Sequence, residues 1–516
     1  MDFGTIIGNI FTLEVMGALF LGTTVAIIMG ALPGLSASMA VALLIPVTFG
    51  MNPIAGLVML TGVYTAAVYG GSITAILLHT PGTPASAATA IDGYELAKKG
   101  QGFKAIGVAT VSSVIGGVIS ALALMFLSPP LAQISLKFGP LEYFLLAVFG
   151  LTIIGSLAGD SMAKGMIGGL VGLFIGIVGL DMMNGVPRFT FGLLPLESGV
   201  SMVPAMIGMF SISQVMIMTE DIIKGKSNLT EGSENLLTGR FLPTWKEFKV
   251  LVPTIIKSSI MGVFVGILPG AGADIGSWVA YNEAKRSSKH PENFGKGEML
   301  GIAASESANN AVTGGALIPL LTLGIPGSSV AAILLGGLMI QGLVPGHELF
   351  DVYAEITYSV MFGFLIANLM MGFIGYVIAK QAVKLSKVPM SVLAPIIVAL
   401  SVVGSFAIAN SMFDVYIMGA FGLIAYFMRK SGFGTAPTIL GVILGAMLEA
   451  NWRRALVLSK GSMFNYFLNR PIALVLLILI LGSLFVPMIM SRVKRKMNSD
   501  LKVESGDNSH ESSDID

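Results

Sequence analysis

Apolar residues run along this chain in continuous stretches of roughly 15 to 27 positions, without the period-two alternation of an outer-membrane barrel strand. Stretches of about 17–25 apolar residues cross the hydrocarbon core as helices. The pattern predicts crossings near 105–128, 141–157, 165–182, 200–218, 353–379, 391–409, 412–428, 434–450 and 471–490. The largest polar interruption, 219–257, carries Lys224, Lys226, Arg240, Lys246, Lys249 and Lys257 and reads as a cytoplasmic linker between two halves. From Arg492 the chain turns basic and then Ser/Asp/Glu-rich, the composition of a disordered cytoplasmic tail. The first twenty residues place no Lys or Arg ahead of the apolar stretch, so they do not read as a cleavable signal.

Two motifs recur in the same order. "IMGALPGLSAS" (28–38) is similar to "FVGILPGAGAD" (264–274), and "YGGSITAILLHTPGTPASAA" (69–88) to "TGGALIPLLTLGIPGSSVAA" (313–332) with a one-residue gap, which sets Thr65 against Asn309. Each pair opens one half of the chain, the signature of duplication. Loop charge orients the copies. Between its motifs the first copy has the uncharged "FGMNP" (49–53), where the second has the basic "KRSSKHPENFGKGE" (285–298). After the second motif the pattern reverses: "YELAKKGQGFK" (94–104) is basic, whereas "GLVPGHELFD" (342–351) has no Lys or Arg. Equivalent loops on opposite faces define an inverted-topology repeat. In this scheme Arg453 and Arg454 conflict, because they fall on the outer side.

"ILPGAGAD" (267–274) breaks the backbone where a membrane helix is expected. Both flanks of 258–284 read as cytoplasmic, and each arm of about 11 residues rises only about 17 Å, little more than half the hydrocarbon thickness. The segment therefore reads as a re-entrant hairpin, with its counterpart at 15–50 entering from the other side. The second motif of each copy reads as one crossing, broken at "HTPGTP" (79–84) and "LGIPGSS" (323–329). Non-helical backbone at membrane depth survives only inside protein or beside a cavity, which makes the four breaks the candidate site.

A helix N-terminus aims free N–H groups and partial positive charge at what lies before it, and so favours carboxylates. The candidate substrate contacts are Pro33, Gly34, Ser36, Ser38, Thr80, Gly82, Thr83, Ser86, Gly270, Gly272, Gly327, Ser328 and Ser329. They are hydroxyl, glycine and tip positions at the breaks, where small residues also serve plain helix packing. No Lys or Arg lies in the four segments, so anion affinity there rests on dipoles and hydroxyls. "SESANNAVTGG" (305–315) puts Glu306, Asn309 and Asn310 on one helix face. Intramembrane acids are costly and mark function. With Asp274, these residues form a candidate Na⁺ site of hard oxygen ligands; a structural hydrogen-bond network is the competing reading. The first copy has no acid at the corresponding place. His79 is the sole histidine at a break, and no P-loop, GxSxG or HExxH occurs.

Composition agrees with the pattern. Of 516 residues, 54% are hydrophobic and 11% charged, against about a quarter charged in soluble domains. Lys+Arg is 30 and Asp+Glu 29, so no charge excess points to nucleic acid. With no cysteine, disulfides, iron–sulfur clusters and thiolate metal sites are excluded.

The expected fold is an all-α polytopic membrane protein with about eleven crossings and two re-entrant hairpins, built as an inverted-topology repeat with discontinuous helices. The first repeat spans 1–218 (hairpin 15–50, broken helix 54–97) and the linker 219–257. The second spans 258–450 (hairpin 258–284, broken helix 300–341), followed by a membrane segment at 451–491 and the tail at 492–516.

The segments 30–51, 69–101, 266–298 and 305–329 together resemble the large membrane subunit of the tripartite tricarboxylate transporters, the TctA family. The similarity covers residues 10–490. Ser305 is a small departure, since the family more often has proline there. The resemblance implies a bacterial inner-membrane secondary transporter of citrate-like or other carboxylates, driven by Na⁺ or H⁺ and without a resident cofactor. It also implies a small four-helix membrane subunit (TctB-like) and a periplasmic solute-binding protein (TctC-like). An anion channel, or a symporter for a dicarboxylate or aromatic acid, is the alternative; an intramembrane enzyme would need a catalytic dyad, and none is evident.

Overall fold

The computed structural model describes residues 3–32, 34–157, 162–181, 184–225, 240–268, 272–381 and 390–483. Among them, the regular structure is helical except for one short pairing, Gly179–Leu180 with Pro187–Arg188. Eight of the described helices are long and apolar enough to cross a membrane, and the chain is a multi-pass, all-α membrane protein. Helices prevail because, away from water, each backbone N–H and C=O needs a partner within its own segment.

The first half runs α1 (Phe3–Ile10), α2 (Leu13–Gly30), α3 (Ala37–Thr48), α4 (Pro53–Leu78), α5 (Ala87–Leu96), α6 (Gly102–Ser135), α7 (Pro140–Leu157), α8 (Met162–Gly176) and α9 (Met202–Ile223). The second runs α10 (Trp245–Ile267), α11 (Gly272–Ser287), α12 (Met299–Leu323), α13 (Ser329–Ile340), α14 (Ala354–Ala379), α15 (Met390–Ala409), α16 (Met412–Lys430), α17 (Thr435–Leu458) and α18 (Pro471–Ser483). At the centre stand α4 and α12, buried along nearly their whole length.

The two halves repeat one packing scheme. α2 lies along α4, and α10 lies along α12. Gly30 meets Gly70 in the first pair and Gly266 meets Gly315 in the second, so the backbones touch. Past each break a glycine closes in again: a Cβ at Gly82 would strike the Gly30 carbonyl oxygen, and one at Gly327 the Gly266 carbonyl oxygen. Small residues are what allow membrane helices this approach.

The loops pair according to charge. Asp92, buried on α5, accepts backbone N–H groups from Gly295 (2.8 Å), Gly297 (2.9 Å) and Glu298 (2.8 Å), and the Tyr281 hydroxyl at 2.9 Å. Lys99 Nζ donates to the Lys296 carbonyl at 2.5 Å. The basic segments 94–104 and 285–298 therefore lie side by side. At another junction, Gln341 Nε2 donates to the Thr48 carbonyl at 3.0 Å, joining the edges of the two loops without basic residues.

Several boundaries differ from expectation. Helix α10 begins at Trp245, well before 258, so the arm ahead of the "ILPGAGAD" break is 23 residues long, not a short half-crossing. Its charges read as linker in the sequence, yet the fold pairs two of them: Glu247 takes Lys104 Nζ at 2.5 Å and closes a capping box with Thr244, and Lys257 pairs with Glu283 at 2.7 Å. The crossing expected at 165–182 stops at Gly176, because Gly179 (φ +121°) turns the chain into the short strand pair. Arg453 is held by Asp181 (2.7 Å) and Glu449 (2.9 Å), so it does not count as free loop charge. Residues 226–239 of the linker, the end of 471–490 beyond Ser483, and the tail 492–516 lie outside the described residues.

Candidate functional site

The breaks after α4 and α12 are built alike. Helix α4 stops at His79 and α12 at Gly324, both left-handed (φ 54° and 72°), and the prolines two residues on, Pro81 and Pro326, cannot continue a helical ladder. The restarts are capped. Ser36 Oγ accepts the Met39 N–H at 3.2 Å and opens α3, and Ser328 Oγ accepts the Ala331 N–H at 3.1 Å and opens α13. Ser86 Oγ donates to the Thr83 carbonyl at 2.7 Å ahead of α5. Gly272 (φ 62°) opens α11, and its N–H donates to the Gly327 carbonyl at 3.3 Å.

These restarts converge on one cavity of about 460 Å³. Ser36, Ser38 and Thr83 line it from the first half; Gly272, Asp274, Ser328 and Ser329 line it from the second. Contacts across the halves close its floor: Ser38 Oγ lies 3.3 Å from Ser329 Oγ, and the Tyr64 hydroxyl lies 2.8 Å from Ser328 Oγ. Seven of the residues singled out in the sequence thus come together.

The others sit differently. Gly82 and Gly327 pack against the backbone of α2 and α10, and Ser86 is wholly buried in its own turn. The Thr80 hydroxyl donates to the Leu78 carbonyl at 3.0 Å, and Gly34 (φ 88°) makes the turn ahead of α3. Pro33 and Gly270 lie outside the described residues.

The four residues of the candidate ion site lie in different surroundings. Asp274 lines the cavity. Glu306, fully buried on α12, accepts hydroxyls from Ser72 (2.6 Å), Thr89 (2.5 Å) and Ser113 (2.9 Å). Asn310 Nδ2 donates to Thr65 Oγ1 at 2.9 Å, and Thr65 in turn donates to Asn368 Oδ1 at 2.7 Å. The side-chain oxygens of Asn309 and Asn310 are buried without a hydrogen-bond donor. Among the described residues, no three His, Cys, Asp or Glu side chains cluster as a metal site would require.

Sequence reasoning missed the facing wall. Phe210 of α9, Arg429 at the end of α16, and Thr435 to Pro437 at the start of α17 also line the cavity. Nothing in their local sequence ties them to the breaks. Arg429 carried one signal, a basic residue at the end of a crossing, which ordinarily reads as a membrane-interface flank.

Helix breaks from both halves meeting at one cavity fit a membrane protein of transporter type. The profile of the Tripartite tricarboxylate transporter TctA family matches residues 16–440, and the chain belongs to that family, a family of transporters. The chain is 36% identical over 482 residues to an uncharacterized 52.8 kDa protein in the TAR-I ttuC′ 3′ region of Agrobacterium vitis, covering 92% of this chain and 94% of that one. An uncharacterized protein in the TAR-II ttuC′ 3′ region of the same organism is 36% identical over 216 residues, 42% of this chain and 89% of its own length. No solved structure matches.

Proposed function

We propose that the chain is the large permease subunit of an ion-coupled, binding-protein-dependent importer of organic carboxylates, citrate-like acids foremost, working by alternating access in a bacterial inner membrane. The observation that carries this reading is the convergence of restarts from both halves on a single cavity of about 460 Å³. First-turn N–H groups and hydroxyls there offer a carboxylate several donors at once. A periplasmic solute-binding protein delivers the acid, and a small four-helix membrane subunit completes the assembly.

The two halves form an inverted repeat in this proposal, with the C-terminus cytoplasmic and the N-terminus periplasmic, about eleven crossings and hairpin tips at the first breaks. Basic loop against basic loop, and Thr48 against Gln341, support that arrangement. So does the matching of Gly30, Gly70 and Gly82 to Gly266, Gly315 and Gly327. The coupling cation, Na⁺ or H⁺, binds on the second half among Asp274, Glu306, Asn309 and Asn310. The hydroxyl-ringed Glu306 and the donor-free amide oxygens support that assignment. Transport moves the broken-helix core, as an elevator, against α9, α16 and α17.

The test is uptake into proteoliposomes holding the reconstituted assembly, with citrate first and then dicarboxylates and aromatic acids. Accumulation above the bath concentration, driven only by an imposed Na⁺ or proton gradient, is the expected result. Equilibration without accumulation under either gradient would make the protein a channel.

A further inference from the structure

The broken ends supply dipoles and hydroxyls but no cation, and the one acid among them, Asp274, repels an anion. The opposite wall supplies what they lack. Arg429 lines the same cavity from the last turn of α16. Of its guanidinium donors, Nη1 reaches a neutral amide, Gln214 Oε1 of α9, at 2.5 Å. Among the described residues no carboxylate pairs with it. The adjacent Lys430 makes the usual surface solution: it pairs with Glu220 at 2.7 Å and lies over the Tyr426 ring. Two consecutive cations on one helix end thus have opposite fates, one neutralised outside and one kept unneutralised beside the cavity. A guanidinium has five N–H donors in a planar fork, and a single amide contact leaves most of that fork open.

Resting on the transport reading above, we infer that Arg429 is the fixed-charge ligand for one carboxylate of the substrate, held by the wall that faces the broken ends. Gln214 is its positioning residue: an amide orients the fork without discharging it, whereas an acid there would occupy it. The N–H groups and hydroxyls of the restarts then take a second carboxylate. The site therefore prefers acids with at least two carboxylates, one for each wall. Bidentate geometry makes lysine a poor substitute, since an ammonium offers point charge and no fork.

The experiment measures binding of radiolabelled citrate, succinate, acetate and benzoate to the full-length protein in lipid nanodiscs. Wild type is expected to retain citrate or succinate at least tenfold more tightly than the monocarboxylates. Arg429→Gln should weaken the multivalent acids about 30-fold or more and collapse that preference, Arg429→Lys should weaken them at least fivefold, and Gln214→Glu about tenfold. Gln214→Met, which removes the amide that orients the fork, should weaken them about three- to fivefold. Where a variant fails to fold, phenylglyoxal modification of Arg429 in the wild-type protein, read by mass spectrometry, is expected to slow at least fivefold when citrate or succinate is bound. Unchanged affinity and preference in folded Arg429→Gln, or modification at Arg429 untouched by a bound acid, would overturn the assignment and leave the transport reading standing. No retention of any acid by wild type would overturn this inference, and absence of uptake by the reconstituted assembly would overturn the transport reading with it.

Discussion

In the first half the chain turns at Gly34, restarts on Ser36 and presents Ser38 to the cavity; in the second it restarts on Gly272 and presents Asp274. The glycine contacts and left-handed stops match from half to half, while the ionisable chemistry does not: Glu306 and Asp274 have no acidic counterparts in the first half. Backbone geometry is therefore duplicated and charge is not. In the function proposed above, shared geometry suits what both halves would do alike, presenting N–H groups to an anion, and an unshared acid suits what would happen once per cycle, taking up a cation.

Each way of testing this contrast has an expected size. The largest effect belongs to the shared backbone. Gly327→Val and Gly82→Val each drive a side chain into a carbonyl oxygen of the neighbouring helix, costing about 1–3 kcal/mol or more, and both should abolish uptake to a similar degree. A strong loss in one half with tolerance in the other would break the equivalence. Next come the loop anchors, which are unequal. Asp92→Ala strands three backbone donors and a tyrosine hydroxyl, with a loss on the order of 3 kcal/mol, whereas Gln341→Ala removes a single neutral bond of about 1 kcal/mol. Thermal unfolding in detergent should rank them so; equal shifts would mean that Asp92 is not the principal anchor.

Glu306→Gln tests the unshared chemistry. It keeps the hydroxyl ring and removes the charge, so the cation concentration for half-maximal uptake should rise about tenfold, roughly 1.4 kcal/mol, with abundance unchanged. Uptake whose Na⁺ and pH dependence is unaltered would remove Glu306 from the coupling role. Smallest is Ser38→Ala, which loses only the 3.3 Å contact with Ser329; a two- to threefold rise in the KM for the acid is expected, and a tenfold rise would make that hydroxyl a principal ligand.

What the sequence made legible was local. Pro81, Pro326 and the glycines around them announce breaks because their dihedral limits act within a few residues, and Ser36 and Ser328 announce caps for the same reason. Three things were hidden because they depend on distant partners. The start of α10 was masked by charges that Lys104 and Glu283 neutralise from elsewhere in the chain. Arg429 belongs to the cavity only through the packing of α16 against α9. The register of the repeat slipped by one: the matched glycine approaches place Thr65 opposite Asn310, not Asn309, and those two residues are hydrogen-bonded to each other.

That bond bears on the route a solute can take. Thr65, Asn310 and Asn368 form a dry knot at the seam of α4 and α12, each fully buried, with Met371 sulfur filling the remaining space 3.3 Å from Asn310 Nδ2. In the transport proposed above, a hydrated conduit through the middle of the protein would have to untie it, so a route along the cavity wall formed by α16 and α17 is favoured, and a blocker wedged there should stop flux while the knot stays intact.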